Sequence, residues 1–305
     1  QVRTTNSLSL IPGATSQANA PAQPFAQAQD VQSVSWSAAG KLLVSDGQSL
    51  RTMNPDGGQQ STILNDPNSW LADMARCSDR YIVLAWAFHG GTNQVHLWRT
   101  NSDGSNPAQL TNGAFDRFPV CSPDGKWVYY YDGNGPHYAK RVPLEGGQPE
   151  PVPASDVRGM YGFGAGEAIS PDGKLLIFNA DVNSADNSPG AVSRLALVTL
   201  NSTSHDSSSP SSPILLRPDP RMATGGGNGF TNAISFTPDG KSVAYIVRDH
   251  GVDNIFVQPL DGSPGHQITN FPSEHIAEFQ WSPDGKTLAV ARAQNTSDVV
   301  LLREK

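Results

Sequence analysis

The chain has 305 residues, which is enough to bury a sizeable core in one domain or two. Its formal net charge of −7 argues against a nucleic-acid-binding protein, which needs a basic surface to displace counterions. The sequence has no run of basic residues and no apolar stretch of about 18 residues, so it predicts neither membrane insertion nor binding to anionic lipid.

The N-terminal segment is predicted to supply a strand that the last repeat of the chain lacks. The last repeat, near the C-terminus, ends one strand short, and natural sheets avoid bare strand edges. We expect residues 1–13 to close a ring, with Ser7–Ile11 pairing with Asp298–Leu302. Residues 14–30, rich in Ala, Gln and Pro, are predicted to be a linker.

One phrase, Ser-Pro-Asp-Gly-Lys, recurs along the rest of the chain. The copies, of which the first two are degenerate, begin at Ser37, Ser78, Ser122, Ser170, Thr237 and Ser282. The spacing between copies is measured from the glycine of one to the glycine of the next, with residue 80 used in the second copy, which lacks the glycine. The successive spacings are 40, 45, 48, 67 and 45 residues. A period of this length indicates a repeat architecture such as a propeller.

The phrase itself predicts a hairpin turn. Proline presets φ for the first central position of a type I turn, and glycine accepts the left-handed conformation that closes a bulged hairpin. Runs rich in β-forming residues flank it, among them Leu175–Phe178 and Val243–Val247. A second turn, such as Asp103-Gly104, follows in four copies, so each repeat is predicted to have four antiparallel strands.

The sequence therefore predicts an all-β, six-bladed β-propeller in a single domain. The predicted blades are about 31–70, 71–115, 116–161, 162–228, 229–274 and 275–303.

The repeated phrase resembles the TolB-like, WD-like propeller repeat over nearly the whole chain. The last fifth, with Asn254–Gly262, Gln267–Phe271, Trp281–Lys286 and Ser297–Leu302, is similar to the C-terminal propellers of bacterial, especially acidobacterial, serine/threonine kinases. That resemblance implies an extracytoplasmic, periplasmic propeller that follows a kinase and a membrane segment. The sequence has no Gly-rich phosphate loop and no His-Arg-Asp or Asp-Phe-Gly motif, so any kinase activity is expected outside it.

The sequence predicts no catalytic residues, metal site or cofactor. A serine hydrolase needs a Gly-x-Ser-x-Gly elbow, and the nearest phrase, Gly262–Gly265, lacks that spacing. The repeated Asp of the turn phrase is explained by its turn role. The histidines are scattered without metal-ligand spacing, at His89, His96, His137, His205, His250, His266 and His275.

Cys77 and Cys121 occupy the same position of adjacent repeats, immediately before the turn serine. Equivalent positions of neighbouring blades are usually too far apart for a disulfide, so we expect buried packing roles for both.

The central channel is the remaining candidate for a functional site. Polar and charged residues fall at or near the predicted inner-strand positions, where they could orient a small ligand, a protein or a peptide. The candidate ligand-binding residues are Asp73, Arg76, Arg117, Glu167, Asn232 and Glu278.

Three functional hypotheses follow from this site. The first is a non-enzymatic binding or sensory module, in particular the sensing domain of a receptor-like serine/threonine kinase. The second is a TolB-like periplasmic protein-interaction scaffold. The third is a propeller lyase or hydrolase, in which the channel carboxylates and arginine would act in catalysis.

Overall fold

The computed structural model describes residues 2–14, 21–88, 94–133, 139–152, 166–182, 192–200, 213–223 and 234–297. Within these ranges the chain forms 24 β-strands and no helix. The strands form six antiparallel sheets of four strands each. The predicted six-bladed β-propeller is confirmed.

Five blades use strands that follow one another in the sequence, from the axis outwards. The first contains β3 (Ser33–Trp36), β4 (Leu42–Ser45), β5 (Ser49–Met53) and β6 (Ser61–Asn65). The second contains β7 (Ser69–Cys77), β8 (Tyr81–Phe88), β9 (His96–Asn101) and β10 (Ala108–Gln109). The third contains β11 (Asp116–Cys121), β12 (Trp127–Asp132), β13 (Ala139–Pro143) and β14 (Glu150–Pro151).

The fourth blade contains β15 (Glu167–Ile169), β16 (Leu175–Val182), β17 (Val192–Thr199) and β18 (Ile214–Leu216). The fifth contains β19 (Ile234–Phe236), β20 (Ser242–Asp249), β21 (Val252–Pro259) and β22 (His266–Gln267). Inner strands of neighbouring blades contact one another, including β23 (His275–Trp281) with β3, β3 with β7, and β7 with β11.

The sixth blade joins the two ends of the chain. Its strands, from the axis outwards, are β23, β24 (Thr287–Ser297), β1 (Val2–Pro12) and β2 (Gln23–Gln29). Closure by an N-terminal strand is confirmed, but the predicted pairing is wrong. Ser7–Ile11 pairs with residues 288–292, because β24 continues without a break from the turn to Ser297. Residues 298–305 lie outside the described residues.

The predicted linker also needs correction. Within residues 14–30, Gln23–Gln29 forms the outermost strand of the sixth blade, where Leu8 pairs with Phe25. Phe25 and Ala28 are buried in the core between the sixth and first blades. The N-terminus therefore supplies two strands, and the Ala- and Gln-rich composition concealed the second.

The repeated phrase forms the predicted turn. At Ser282 the hydroxyl donates to Asp284 (2.6 Å) and accepts from the Thr287 N–H (2.9 Å), while Asp284 accepts from the Lys286 N–H (3.1 Å). Gly285 has φ +69°, which a side chain would disfavour. The Ser282 and Lys286 hydrogen bonds lower the pKa of the Asp284 carboxyl. The turns at Ser122, Ser170 and Thr237 repeat these hydrogen bonds.

Apolar side chains pack between adjacent blades. For example, Tyr129 of the third blade packs with Leu176 and Phe178 of the fourth. Equivalent clusters join the first blade to its neighbours on both sides. This packing holds the six inner strands around one axis, so polar residues at their ends are brought together from different blades.

Candidate functional site

The axis has two chemically different ends. The chain enters each inner strand at one end, which we call the entry end. It leaves at the other, the turn end, where the Ser-Pro-Asp-Gly-Lys turns lie. Arg117 and Glu167 lie at or next to the first residue of β11 and β15, and Asp73 and Glu278 lie midway along β7 and β23. These four residues are further from the turns than Arg76, which is next to the last residue of β7, and the half of the axis that contains them is included in the term entry end. Asn232 lies outside the described residues.

Asp73 and Arg117 form an ion pair between the second and third blades. Arg117 Nε lies 2.5 Å from Asp73 Oδ2, and Arg117 Nη2 lies 3.0 Å from Asp73 Oδ1. The Phe118 N–H donates to the same Asp73 carboxylate (3.2 Å). The Arg117 guanidinium also stacks over Trp70 (5.1 Å) and Phe118 (4.9 Å), a cation–π arrangement.

The Asp73–Arg117 ion pair is largely buried. The Arg117 side chain is 3% exposed and that of Asp73 is 13% exposed. Its bidentate geometry is that of a strong, charge-assisted pair. The pair therefore links the inner strands of two blades.

Glu278 makes a similar link where the ring closes. Its Oε2 accepts hydrogen bonds from the Ser33 hydroxyl (2.9 Å) and the Val34 N–H (2.8 Å) of the first blade. Burial raises the pKa of Glu278 to about 8, and the Asp73 carboxylate contributes to the increase. The carboxyl is therefore largely protonated at neutral pH.

Glu167 is buried between the third and fourth blades. Burial raises its pKa well above the ordinary value, and its Oε1 has no hydrogen-bond partner within the described structure. It pairs across the sheet with Phe178, whose ring lies in the apolar cluster of those blades. Glu167 thus lies at a different blade junction from the Asp73–Arg117 pair, which links the second and third blades.

The turn end contains an open cavity of about 180 Å³ among the inner strands. It is lined by residues of the first, second, third and sixth blades, among them Ser35, Trp36, Arg76, Cys121, Gln280 and Trp281. The Arg76 side chain is 34% exposed, and its nearest carboxylate, Asp79 Oδ1, is 3.9 Å away and itself exposed. Arg76 is therefore available to an acidic group of a ligand.

The repeat pattern identified Arg76 but missed the aromatic wall of the cavity. Trp36 and Trp281 occupy the position immediately before the turn serine in the first and sixth blades, and the pattern indicates only core packing there. In the structure both also line the cavity; Trp281 is half-buried, whereas Trp36 is 4% exposed and belongs to the core between the sixth and first blades. The Trp36 Nε1–H donates to the Gln280 carbonyl (3.1 Å), which links the first and sixth blades.

Cys77 is buried in the core of the second and third blades and Cys121 packs against that core, as expected. The two also form a disulfide, so the expectation that neighbouring blades hold them too far apart is wrong. Their Cα atoms lie 5.3 Å apart, within disulfide range. The inner strands β7 and β11 approach closely beside the cavity, and Cys121 lines its wall.

Among the residues that the structure describes, no group of three or more histidine, cysteine or acidic side chains could hold a metal ion. The same ranges contain no helix long and apolar enough to cross a membrane.

Six four-stranded antiparallel blades around one axis define the class of this protein as a six-bladed β-propeller. No family model matches the chain, and no curated protein matches it.

Solved structures share the fold. A protein of Agrobacterium tumefaciens, provisionally named TolB, is 17% identical, with 96% of this chain and 99% of that chain covered and a TM-score of 0.62. A chain of the nidogen/laminin complex is 14% identical, with 87% and 94% covered and a TM-score of 0.58. The gluconolactonase XC5397 of Xanthomonas campestris is 15% identical, with 86% of each chain covered and a TM-score of 0.54. At these identities the similarity establishes the fold alone.

Proposed function

We propose that this chain is a binding module that takes a segment of a partner protein at the turn end of its axis. The observation that carries the proposal is the open cavity there, which combines the partly exposed Arg76 guanidinium with the half-buried Trp281. Tryptophan and arginine are the residue types that dominate protein-binding hot spots.

The entry end supports binding over catalysis. Asp73, Arg117 and Glu278 hydrogen-bond to neighbouring blades and hold the inner strands in position. A catalytic acid and base have to reach a substrate. We assign these residues to the support of the site and Arg76 to direct ligand contact.

The disulfide supports a location outside the cytoplasm. Stable disulfides occur mainly in oxidising compartments such as the periplasm. In that setting the propeller would act as the sensory domain of a receptor-like serine/threonine kinase, in line with the sequence resemblance, or as a TolB-like scaffold. The nidogen/laminin complex provides a propeller-fold precedent for protein binding.

One observation favours the second candidate, a propeller hydrolase or lyase. At neutral pH the Glu278 carboxyl carries a proton, because its pKa is about 8, but it could act as a general acid only for a substrate that displaces its contacts with Ser33 and Val34, since the residue is 5% exposed. The gluconolactonase of the same fold suggests a lactone as the substrate to try.

Selection of a random peptide library displayed on phage tests the binding proposal. We expect binders to the wild-type chain that bind the Arg76→Gln variant at least about tenfold more weakly, a loss of about 1.4 kcal/mol. Lys126→Gln is the matched control, because Lys126 is an exposed cation on a neighbouring turn. Failure to recover binders above an empty support would overturn the proposal.

A lactonase assay tests the second candidate. Turnover of gluconolactone that is abolished in Glu278→Gln, with the fold intact by circular dichroism, would favour the enzyme. We expect no turnover by the wild-type chain.

A further inference from the structure

The two cysteines of the chain form one disulfide, and its two halves lie in different surroundings. Cys77 is fully buried and belongs to the apolar core of the second and third blades. Cys121 is half-buried and lines the open cavity at the turn end of the axis. One half of the bond therefore borders a cavity that a reagent can enter, whereas the other half is covered by protein.

The disulfide fastens together two strands of the cavity wall. β7 and β11 belong to different sheets, so strand pairing does not join them. The Asp73–Arg117 ion pair links them towards the entry end, and the disulfide links them at the turn end. Residues 74–76 and 119–120, which directly precede the two cysteines, line the cavity with Cys121. Cleavage of the bond would therefore release this part of the wall from its covalent constraint.

Access decides where a thiol can cleave this bond. A disulfide is cleaved when a thiolate attacks one of its two sulfurs, so the reaction requires a path to that sulfur. The surrounding core closes the path to Cys77, whereas Cys121 can be reached through the cavity. Disulfides that are exposed are in general more labile than structural ones. The position of Cys121 places this bond in the labile group.

The charge of the cavity favours a thiolate. Arg76 lines the cavity with a side chain that is 34% exposed. The other described residues of the lining are apolar or neutral polar, and none of them is acidic. A cation lowers the pKa of a nearby thiol and so increases the fraction of the reactive thiolate. The guanidinium therefore draws the nucleophile towards the wall that contains Cys121.

We propose that the cavity is the entry route for a dithiol reductant to the Cys77–Cys121 bond, which is cleaved at Cys121. The first thiolate bonds to Cys121 Sγ, and the electron pair of the broken S–S bond leaves on Cys77 Sγ, which takes up a proton. The second thiolate then attacks the dithiol sulfur of the mixed disulfide and releases Cys121, which is protonated in turn. The dithiol is oxidised to a disulfide, and both cysteines end as thiols. This reaction does not require the partner protein proposed above.

A monothiol identifies the sulfur that is attacked, because it stops at the mixed disulfide. The folded, oxidised wild-type chain is treated with glutathione, quenched with N-ethylmaleimide and mapped by mass spectrometry. We expect glutathione on Cys121 and N-ethylmaleimide on Cys77. Glutathione on Cys77, equal labelling of the two cysteines, or no adduct under conditions that cleave the urea-unfolded chain would overturn the proposal.

Two single variants measure the access to each sulfur. Cys77→Ser leaves the Cys121 thiol, and the matched Cys121→Ser leaves the Cys77 thiol. We expect iodoacetamide to alkylate Cys121 at least about tenfold faster than Cys77 in the folded chains, and at equal rates in urea. Equal rates in variants that are folded by circular dichroism would overturn the proposal.

The charge of the thiol tests the route through the cavity. Mercaptopropionate carries a negative charge and cysteamine a positive one, so Arg76 should favour the first. We expect Arg76→Gln to lower the ratio of their cleavage rates on the folded chain by at least about threefold. Lys174→Gln is the matched control, because Lys174 is an exposed cation outside the cavity lining, and it should leave the ratio unchanged. An unchanged ratio in Arg76→Gln would overturn the cavity as the entry route.

Discussion

The two ends of the axis show that one set of inner strands holds charged residues in two different environments. At the entry end, charged groups are buried and bonded to the next blade: Arg117 is 2% exposed and Glu278 is 5% exposed. At the turn end, Arg76 is partly exposed beside a cavity with an aromatic wall. A charged residue near the axis is thus open to contact with a ligand only where the blades leave it accessible.

The physical reason is the cost of burying charge. An ion removed from water must be compensated by close partners, so the buried groups at the entry end have contacts from the neighbouring blade. The Arg76 guanidinium stays in contact with water, so it does not need such compensation from protein partners. The predictions below test this division, from the largest expected effect to the smallest.

Loss of the disulfide should have the largest effect on stability. Cys77 and Cys121 are separated by 44 residues, and a loop of that length corresponds to about 4 kcal/mol of unfolding free energy in the chain-entropy model. We expect the Cys77→Ala/Cys121→Ala variant to lose about that amount in urea denaturation. Alkylation of the wild-type chain before and after reduction, read by mass spectrometry, checks that the bond forms; two free thiols in the unreduced chain would contradict it.

Breaking the entry-end ion pair should cost about 3 kcal/mol. Asp73→Ala leaves the Arg117 guanidinium buried without its carboxylate, which is more costly than the loss of an exposed pair. The control is Asp79→Ala, whose exposed carboxylate lies 3.9 Å from Arg76 and should contribute less than about 0.5 kcal/mol. Equal effects in the two variants would contradict the distinction between the ends.

Glu278 should make stability depend on pH. Its pKa in the folded protein, about 8, exceeds the ordinary value of 4.5, so the folded state binds more protons than the unfolded state between these limits. The free energy of unfolding should therefore fall as pH rises from about 4.5 to about 8.

The Glu278→Gln variant keeps an oxygen acceptor for Ser33 and Val34 but does not titrate. We compare the free energy of unfolding of the variant minus that of the wild-type chain at two pH values, by urea denaturation. This difference should be larger above pH 8 than below pH 4.5, by at least about 1 kcal/mol. Asp79→Asn, at an exposed carboxylate, should leave the wild-type pH profile unchanged. A Glu278→Gln profile parallel to wild type would show that Glu278 titrates normally.

The smallest effect concerns the degenerate turn of the first blade. Ala38 holds the proline position, and no backbone hydrogen bond from the Ala38 N–H is present among the turn contacts. Ala38→Pro should therefore raise the free energy of unfolding by about 0.5 kcal/mol, because proline restricts the unfolded chain. Ala39→Pro, one position later, should destabilise the protein, since proline is disfavoured there in a type I turn.

Local chemistry was sufficient to predict the fold. The Ser-Pro-Asp-Gly-Lys phrase forms its turn through hydrogen bonds within six residues, such as Ser170 to Asp172 and Leu175 to Ser170, so it carries its structure in the sequence. The repetition of that turn and its flanking strands specified six blades, and the missing last strand indicated closure by the N-terminus. The second N-terminal strand, Gln23–Gln29, was not predicted because its pairing with β1 depends on burial of only a few apolar residues such as Phe25 and Ala28.

The site depended on the tertiary structure, because side chains of different blades meet there. Register shifts beside Asp73, Arg117 and Glu278 change how the inner-strand positions correspond from blade to blade, and a regular repeat count cannot show them. The Cys77–Cys121 bond and the Asp73–Arg117 pair likewise depend on how closely neighbouring blades approach. The sequence by itself placed the five described candidate residues on inner strands, and inter-blade packing decided which of them are buried and which are partly exposed.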